Sequence, residues 1–329
     1  MGYGSYSHEA HEALTRARSA ASPAQVFKQR ECHPLMNPKG VKVRESRDSA
    51  DHPASLGIVF ALDVTGSMGA IPQALATQEL PHFMKVLGQC GVKDPQVLFC
   101  AVGDATCDRA PLQVGQFETT AELMDQWLTW SYLEGAGGPG VQESYELALY
   151  FLALHTAMDC NERRNRRGYL FMTGDENPYP TLSRHVVETV VGDRLDADVK
   201  VEEVVAELSK SFVPFFVIPD PGRRRTCEAR WRELLGDHVL CLEQPQDVCH
   251  VAAGAIALSE RLVPGLDALG AALETAGADR ERVRRTLRAL APLAPSAGNA
   301  PTTPPVSGVA PGTSGKGGIV SAIKRLFSS

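Results

Sequence analysis

Five short apolar runs, rich in β-branched and aromatic residues, recur along the middle of the chain at residues 56–62, 97–102, 169–172, 212–218 and 239–242. Apolar runs of this length without polar alternation are typical of strands that are buried on both faces of a sheet. A sixth segment, residues 112–117, alternates apolar and polar positions and follows the second run after a short loop. We therefore predict five parallel strands and one antiparallel edge strand.

Amphipathic stretches of helical length lie between these runs, at residues 71–87, 120–130, 143–158, 201–211, 227–235 and 247–261. Strands that alternate with helices predict a largely parallel sheet with helices on both faces. The fold class that we predict is therefore a doubly wound α/β domain with a six-stranded, mostly parallel sheet, spanning residues 53–262.

The segments outside this domain differ from it in composition. Residues 1–52 contain a helical pattern at 8–20 and enough apolar side chains to pack on the domain as an N-terminal extension. Residues 263–291 predict two C-terminal helices, and residues 292–317 are a Pro/Gly/Ser/Thr-rich stretch typical of a disordered linker. Residues 318–329 have the pattern of a cationic amphipathic helix. Such a tail could bind a second protein partner, dock on its own domain, or make weak contact with an anionic membrane.

The composition and charge of the chain argue against a nucleic-acid-binding or secreted protein. The chain has 329 residues with 33 Lys and Arg against 39 Asp and Glu, a formal net charge of -6, so we do not expect a nucleic-acid-binding protein. We interpret the basic runs 163–167 and 223–225 as solvated loops, because no aromatic residues interleave them. The eight cysteines form no CxxC pair, and neither a signal sequence nor a long apolar run is evident, so we expect reduced thiols and a cytoplasmic location.

Oxygen-bearing side chains follow the predicted strands at the edge of the sheet where ligands bind in this fold class. They are Asp63, Thr65 and Ser67 after the first strand, Asp104 and Asp108 after the second, Glu143 and Ser144 before a helix, and Asp175 and Glu176 after the fourth strand. Hard oxygen ligands favour Mg²⁺, with Mn²⁺ and Ca²⁺ as alternatives. Helix capping by the hydroxyls and turn formation by the aspartates are the alternatives without a metal.

The segment Asp63-x-Thr65-x-Ser67 resembles the Asp-x-Ser-x-Ser motif of von Willebrand factor A (vWA) domains that carry a metal-ion-dependent adhesion site (MIDAS). The resemblance covers roughly residues 56–250 and extends to Asp175, although the family order Thr-Asp-Gly reads Thr-Gly-Asp here. The family's second-loop Thr has no counterpart in residues 134–144, where Glu143 or Ser144 stands in its place. In loop character the chain is similar to bacterial stand-alone vWA proteins of the alpha-kinase-associated branch.

The resemblance implies a protein-interaction module. Asp63, Thr65 and Ser67 would hold the ion directly, Asp175 would hold it through water, and Glu143 would be a further ligand. Asp104, Asp108, Ser144 and Glu176 would surround these ligands or form the rim. An Asp or Glu of a protein partner would complete the coordination, and by analogy the partner could belong to an AAA+ ATPase-linked stress or defence system. Two alternatives stay open. The chain could be a metal-dependent hydrolase, although we expect a protein without enzymatic activity, or it could be a scaffold in which the metal is purely structural.

Overall fold

The computed structural model of the chain describes residues 4–66, 68, 70–135 and 142–294. Its strands are β1 (Arg44–Ser46), β2 (Ser55–Asp63), β3 (Asp94–Val102), β4 (Leu112–Val114), β5 (Gln142–Glu143), β6 (Thr156–Met158), β7 (Gly168–Thr173), β8 (Asn177–Pro178), β9 (Thr181–Leu182), β10 (Val199–Lys200), β11 (Phe212–Ile218) and β12 (Val239–Cys241). Its α-helices are α1 (His8–Arg18), α2 (Pro23–Val26), α3 (Ala70–Ala74), α4 (Leu80–Gln89), α5 (Ala121–Thr129), α6 (Tyr145–Leu154), α7 (Asp159–Glu162), α8 (Arg184–Val190), α9 (Val201–Leu208), α10 (Arg224–Leu235), α11 (Val248–Ser259), α12 (Leu266–Thr275) and α13 (Arg280–Leu290).

The main sheet has six strands in the order β12-β11-β7-β2-β3-β4. All neighbouring pairs are parallel except β3 and β4, which are antiparallel at the edge. In the order of the chain this is 3-2-1-4-5-6, the arrangement of doubly wound folds, and the direction of the connections reverses between β2 and β7. The predicted fold class, including the antiparallel edge strand, is confirmed.

Helices cover both faces of this sheet because the two halves are wound in opposite directions. The connections from β2 to β3 and from β7 to β11 run opposite ways across the sheet, so right-handed crossovers place their helices on opposite faces. Every residue of β2, β7 and β11 is buried, as apolar runs without alternation predict. Phe60 on the central strand β2 contacts the rings of Phe99 on β3 and Phe171 on β7, which ties the middle of the sheet together.

The predicted bounds of the helix at residues 143–158 are wrong at both ends. Glu143 lies in the two-residue strand β5, which pairs with β8, and the helix α6 ends at Leu154. Residues Thr156–Met158 form β6, which pairs in parallel with β1. The apolar composition continues through this segment, so periodicity alone does not reveal where the helix gives way to a strand.

The N-terminal segment packs on the domain through ion pairs and hydrogen bonds. Arg18 at the end of α1 forms a bidentate salt bridge with Asp125 on α5, with 2.6 Å between Nη2 of Arg18 and Oδ2 of Asp125. Near β1, the ring of His155 bonds the carbonyl oxygen of Val41 at 2.8 Å and the carboxylate of Asp193 at 2.7 Å. These contacts fix residues that otherwise have little regular structure.

The last helix, α13, docks against the domain through arginines that reach buried carboxylates. Arg282 of α13 contacts Glu79 at 3.2 Å, and Arg285 contacts Asp247 at 2.6 Å. Most of the predicted linker, from residue 295 onward, and the predicted tail helix 318–329 lie outside the described residues. All eight cysteines are free thiols, and none of the helices in the described ranges is long and apolar enough to cross a membrane.

Candidate metal centre

Asp63, the last residue of β2, lies at the point where the winding of the sheet reverses. Its side chain is fully buried and held by three donors. Oδ1 accepts from the backbone amide of Thr65 at 2.9 Å and from the Thr65 hydroxyl at 2.5 Å, and Oδ2 accepts from the Tyr145 hydroxyl at 2.5 Å. A carboxylate offers about four acceptor positions, so one position on Oδ2 is left.

Burial raises the pKa of Asp63 to about 6, and the nearby charge of Asp175 adds to this rise against the opposing effect of the hydrogen bonds from Thr65 and Tyr145. An isolated ionised carboxylate is costly to bury, so the site favours either a proton or a cation beside this side chain.

Two further carboxylates at this edge have buried oxygens without a donor among the described residues. Asp175, two residues past β7, is 2% exposed and its Oδ1 is unpartnered, while its Oδ2 lies 3.3 Å from Nε of Arg223. Glu143 is 3% exposed and its Oε2 is unpartnered. Buried polar atoms in folded proteins almost always have partners, so these oxygens have room for a donor from outside the described ranges or for a cation.

Burial, together with the charges of Asp63 and Glu176, raises the pKa of Glu143 to about 9. Burial also raises the pKa of Glu176 to about 7, with the charge of Asp175 as the second cause. Each carboxylate therefore disfavours ionisation of its neighbours. A divalent cation would relieve this repulsion.

Asp104 and Asp108 organise the loop after β3. The oxygens of Asp104 accept from the Thr106 amide at 2.9 Å, the Thr106 hydroxyl at 2.6 Å and the Tyr179 hydroxyl at 3.2 Å. Asp108 accepts from the amide of Asp104 at 2.7 Å. These are the turn contacts expected of aspartates in loops, and they leave Asp104 with little capacity for a metal ion.

Ser144 belongs to the same loop cluster. Its hydroxyl accepts from the amide of Ala105 at 2.9 Å, and its own amide donates to the Gly103 carbonyl at 3.3 Å. The hydroxyl is therefore directed to the loop after β3. Glu176 is half-buried beside Asp175, and its backbone carbonyl accepts from the indole of Trp231 at 2.9 Å.

The predicted ligands are thus brought together in part. Asp63 and Thr65 are in direct contact, and Asp175 and Glu143 lie close enough for their charges to affect the same buried site. Ser67 and the glycine-rich residues 136–141 lie outside the described residues. Within the described ranges, no three His, Cys, Asp or Glu side chains form a metal cluster, whereas the predicted shell combines a carboxylate with hydroxyls.

The residues therefore fit a divalent cation by the chemistry of their donors. Asp63 keeps one free acceptor position on its carboxylate, and the hydroxyl oxygen of Thr65 can bind a cation because its proton is donated to Asp63. Asp175 and Glu143 each add a carboxylate oxygen that has no donor among the described residues. All of these are the hard oxygen ligands that Mg²⁺ and Ca²⁺ prefer.

Comparison with known proteins finds similar solved structures but no similar sequence. No family model matches the sequence, and no curated protein matches it. A von Willebrand factor type A structure from Catenulispora acidiphila is 12% identical, with 68% of this chain and 48% of that chain covered and a TM-score of 0.38. The similar structures thus include a vWA domain. The pilus adhesin SpaC from Lactobacillus rhamnosus GG, in its open conformation, is 9% identical, with 67% and 31% covered and a TM-score of 0.41.

A third similar structure is the vWF domain of the type V pili tip protein Mfa5 from Porphyromonas gingivalis. It is 9% identical, with 64% of this chain and 96% of that chain covered and a TM-score of 0.38. The chain spans less than half the length of the Catenulispora vWA and SpaC structures. The assignment of the fold depends on the sheet order of the chain itself.

Three residues that contact the site did not stand out in the sequence. Tyr145 begins an apolar helix and has the pattern of a core residue, and Tyr179 follows a proline in a loop without periodicity. Arg223 belongs to the run 223–225, which we interpreted as solvated. Arg223 is exposed, as that interpretation predicts, and its guanidinium also faces the carboxylate of Asp175. Only the spatial proximity of β7 and the loop after β11 reveals this contact.

Proposed function

We propose that this chain is a vWA-type, metal-dependent protein-interaction module. It holds Mg²⁺ beside Asp63, and an acidic residue of a protein partner completes the coordination of the ion. The observation that carries the proposal is the pair of buried oxygens on Asp175 and Glu143 that have no donor among the described residues, close to an Asp63 carboxylate that keeps one free acceptor position. By resemblance, a partner from an AAA+ ATPase-linked stress or defence system is the first to test.

The ion would supply an electrophilic centre for a carboxylate from outside the chain. Thr65 holds Asp63 in place through two hydrogen bonds, so the Asp63 rotamer is fixed before the ion binds. Arg223 neutralises part of the charge of Asp175, which leaves more of the positive charge of the ion available to the partner.

The experiment is capture of partners from native lysate by the full chain, with Mg²⁺ and with EDTA. Asp63→Ala is compared with Asp51→Ala, which removes an exposed carboxylate at the opposite edge of the sheet, before β2 begins. A partner that requires both Mg²⁺ and Asp63, and is retained by Asp51→Ala, supports the proposal. A partner retained by Asp63→Ala in EDTA contradicts it. A chain that ends at Pro292 tests whether the tail supplies a separate docking site.

The burial of the candidate ligands favours one alternative function, in which the metal only holds the loops together and has a purely structural role. Asp63, Asp175 and Glu143 are all at most 3% exposed, which limits the access of a partner. In that case Mg²⁺ raises the free energy of unfolding without changing partner capture. Turnover of phosphoesters that requires Mg²⁺ and is lost in Asp63→Ala would instead favour a hydrolase.

A further inference from the structure

Tyr145, the first residue of α6, lies fully buried against the candidate metal centre. Its hydroxyl donates to Oδ2 of Asp63 at 2.5 Å. Its ring meets the rings of Phe216 and Trp231 edge-on, with 5.6 Å between ring centroids in each case. Because the ring is held by these aromatic contacts, the position of its hydroxyl is fixed relative to the sheet.

The hydroxyl of Tyr145 supplies what the loop before α6 lacks. That loop contains no Thr, and the hydroxyl of Ser144 is occupied by the backbone amide of Ala105. The hydroxyl that reaches Asp63 from this part of the chain therefore comes from Tyr145, one residue inside the helix.

The same side chain explains the unusual order Thr-Gly-Asp after β7. A Cβ atom at Gly174 would lie 2.2 Å from the Tyr145 hydroxyl oxygen and 2.6 Å from its Cζ. Real Cβ atoms do not approach heavy atoms this closely, and the tyrosine cannot move away from its aromatic neighbours without losing its bond to Asp63. Position 174 must therefore be glycine, and the carboxylate follows it as Asp175.

We propose that Tyr145 is the positioning residue of the metal centre, which fixes Asp63 for the ion. The inference rests on the proposed function. Thr65 occupies Oδ1 of Asp63 and Tyr145 occupies one position on Oδ2, so together they leave a single acceptor position aimed at the ion. Hydrogen-bond partners that orient a ligating carboxylate are typically worth about 10- to 100-fold in metal affinity.

The test is calorimetric titration of the full chain with Mg²⁺ alone, comparing the wild type with Tyr145→Phe. The matched control is Tyr150→Phe on the same helix, which removes an equally buried hydroxyl that donates to Asp193 at 2.7 Å, away from the site. Tyr145→Phe is expected to weaken Mg²⁺ binding by about 10- to 100-fold, and Tyr150→Phe is expected to leave it unchanged. Urea unfolding without metal measures the effect of each variant on stability separately.

The outcomes distinguish this inference from the proposed function. If the wild type binds Mg²⁺ and Tyr145→Phe binds it equally well, Tyr145 is only a core residue and the inference is overturned while the metal site stands. If the wild type does not bind Mg²⁺, the proposed metal centre is overturned and the inference with it. If Tyr145→Phe is too unstable for titration, the rise of its urea unfolding midpoint with increasing Mg²⁺ is compared with that of the wild type. A smaller rise supports the inference, and an equal rise overturns it.

Discussion

The packing of the C-terminal helices on α11 gives a prediction whose sign depends on the contacts of one glycine, Gly254. Gly254 lies in the middle of α11, where a Cβ atom would be 2.5 Å from Cδ1 of Leu290 on α13 and 3.0 Å from Cδ2 of Leu269 on α12. Both leucines are fully buried, so neither can turn into solvent. Gly88 on α4 is exposed and has nothing within 4 Å of the same atom.

Alanine in place of a helical glycine gains about 0.5–1 kcal/mol when no contact opposes it. Overpacking of a filled core costs about 1–3 kcal/mol. We therefore expect Gly254→Ala to lower the free energy of unfolding by about 1–2 kcal/mol and Gly88→Ala to raise it by about 0.5–1 kcal/mol.

Urea unfolding of the full chain, followed by far-ultraviolet circular dichroism, measures both variants on one scale. Limited proteolysis of the folded Gly254→Ala variant shows whether α12 and α13 are the elements that loosen. If Gly254→Ala is as stabilising as Gly88→Ala, then α12 and α13 do not pack on α11 as closely as described, and the reasoning is refuted.

Two further predictions concern buried ion pairs. Burial lowers the pKa of His155, but its bonds to Asp193 and to backbone carbonyl oxygens outweigh this and raise it above the ordinary value. The stability that this pair provides is therefore present at low pH and lost as the pH rises through the raised pKa of His155. Over that range the urea midpoint of the wild type should fall more than that of Asp193→Asn. Arg285→Met removes a hydrogen-bonded partner of the buried Asp247 and should cost about 2–3 kcal/mol, whereas Arg284→Met, on the exposed face of the same helix, should change stability by less than about 0.5 kcal/mol.

The sheet could be predicted from the sequence because each of its buried strands is a continuous apolar run. Residues 56–62 and 212–218 lack polar positions, and only a strand covered on both faces has that composition at that length. The edge strand β4 could also be predicted, because its apolar and polar positions alternate, but its polar residue Gln113 is buried and bonds the backbone of Tyr132 instead of facing water. Carboxylates at strand ends follow from the fold class, so Asp63 and Asp175 could be placed at one edge before any coordinates were known.

The contacts that complete the site could not be predicted, because they join segments without periodicity. The strands β5 and β8 are two residues each, and their pairing is what places Glu143 beside the other carboxylates. Tyr145 has the composition of a core residue, and its hydroxyl becomes significant only when Asp63 is known to face it. Such pairings depend on tertiary packing, which a local pattern does not encode.

The charge of Arg223 leads to a last prediction, in which two affinities move in opposite directions. Nε of its guanidinium lies 3.3 Å from Oδ2 of Asp175, and the side chain is about half exposed. Arg223→Met removes a positive charge that competes with the ion for Asp175, so Mg²⁺ should bind a few-fold more tightly, by about 0.2–1 kcal/mol for a half-exposed group. Without Arg223, the negative charge of Asp175 cancels more of the positive charge of the ion. The ion then attracts an acidic partner less strongly, so capture of the partner should weaken. Arg225→Met, two residues further along and exposed, is the control. If Mg²⁺ affinity and partner capture fall together, Arg223 holds the loop after β11 in place instead of setting the charge at the site.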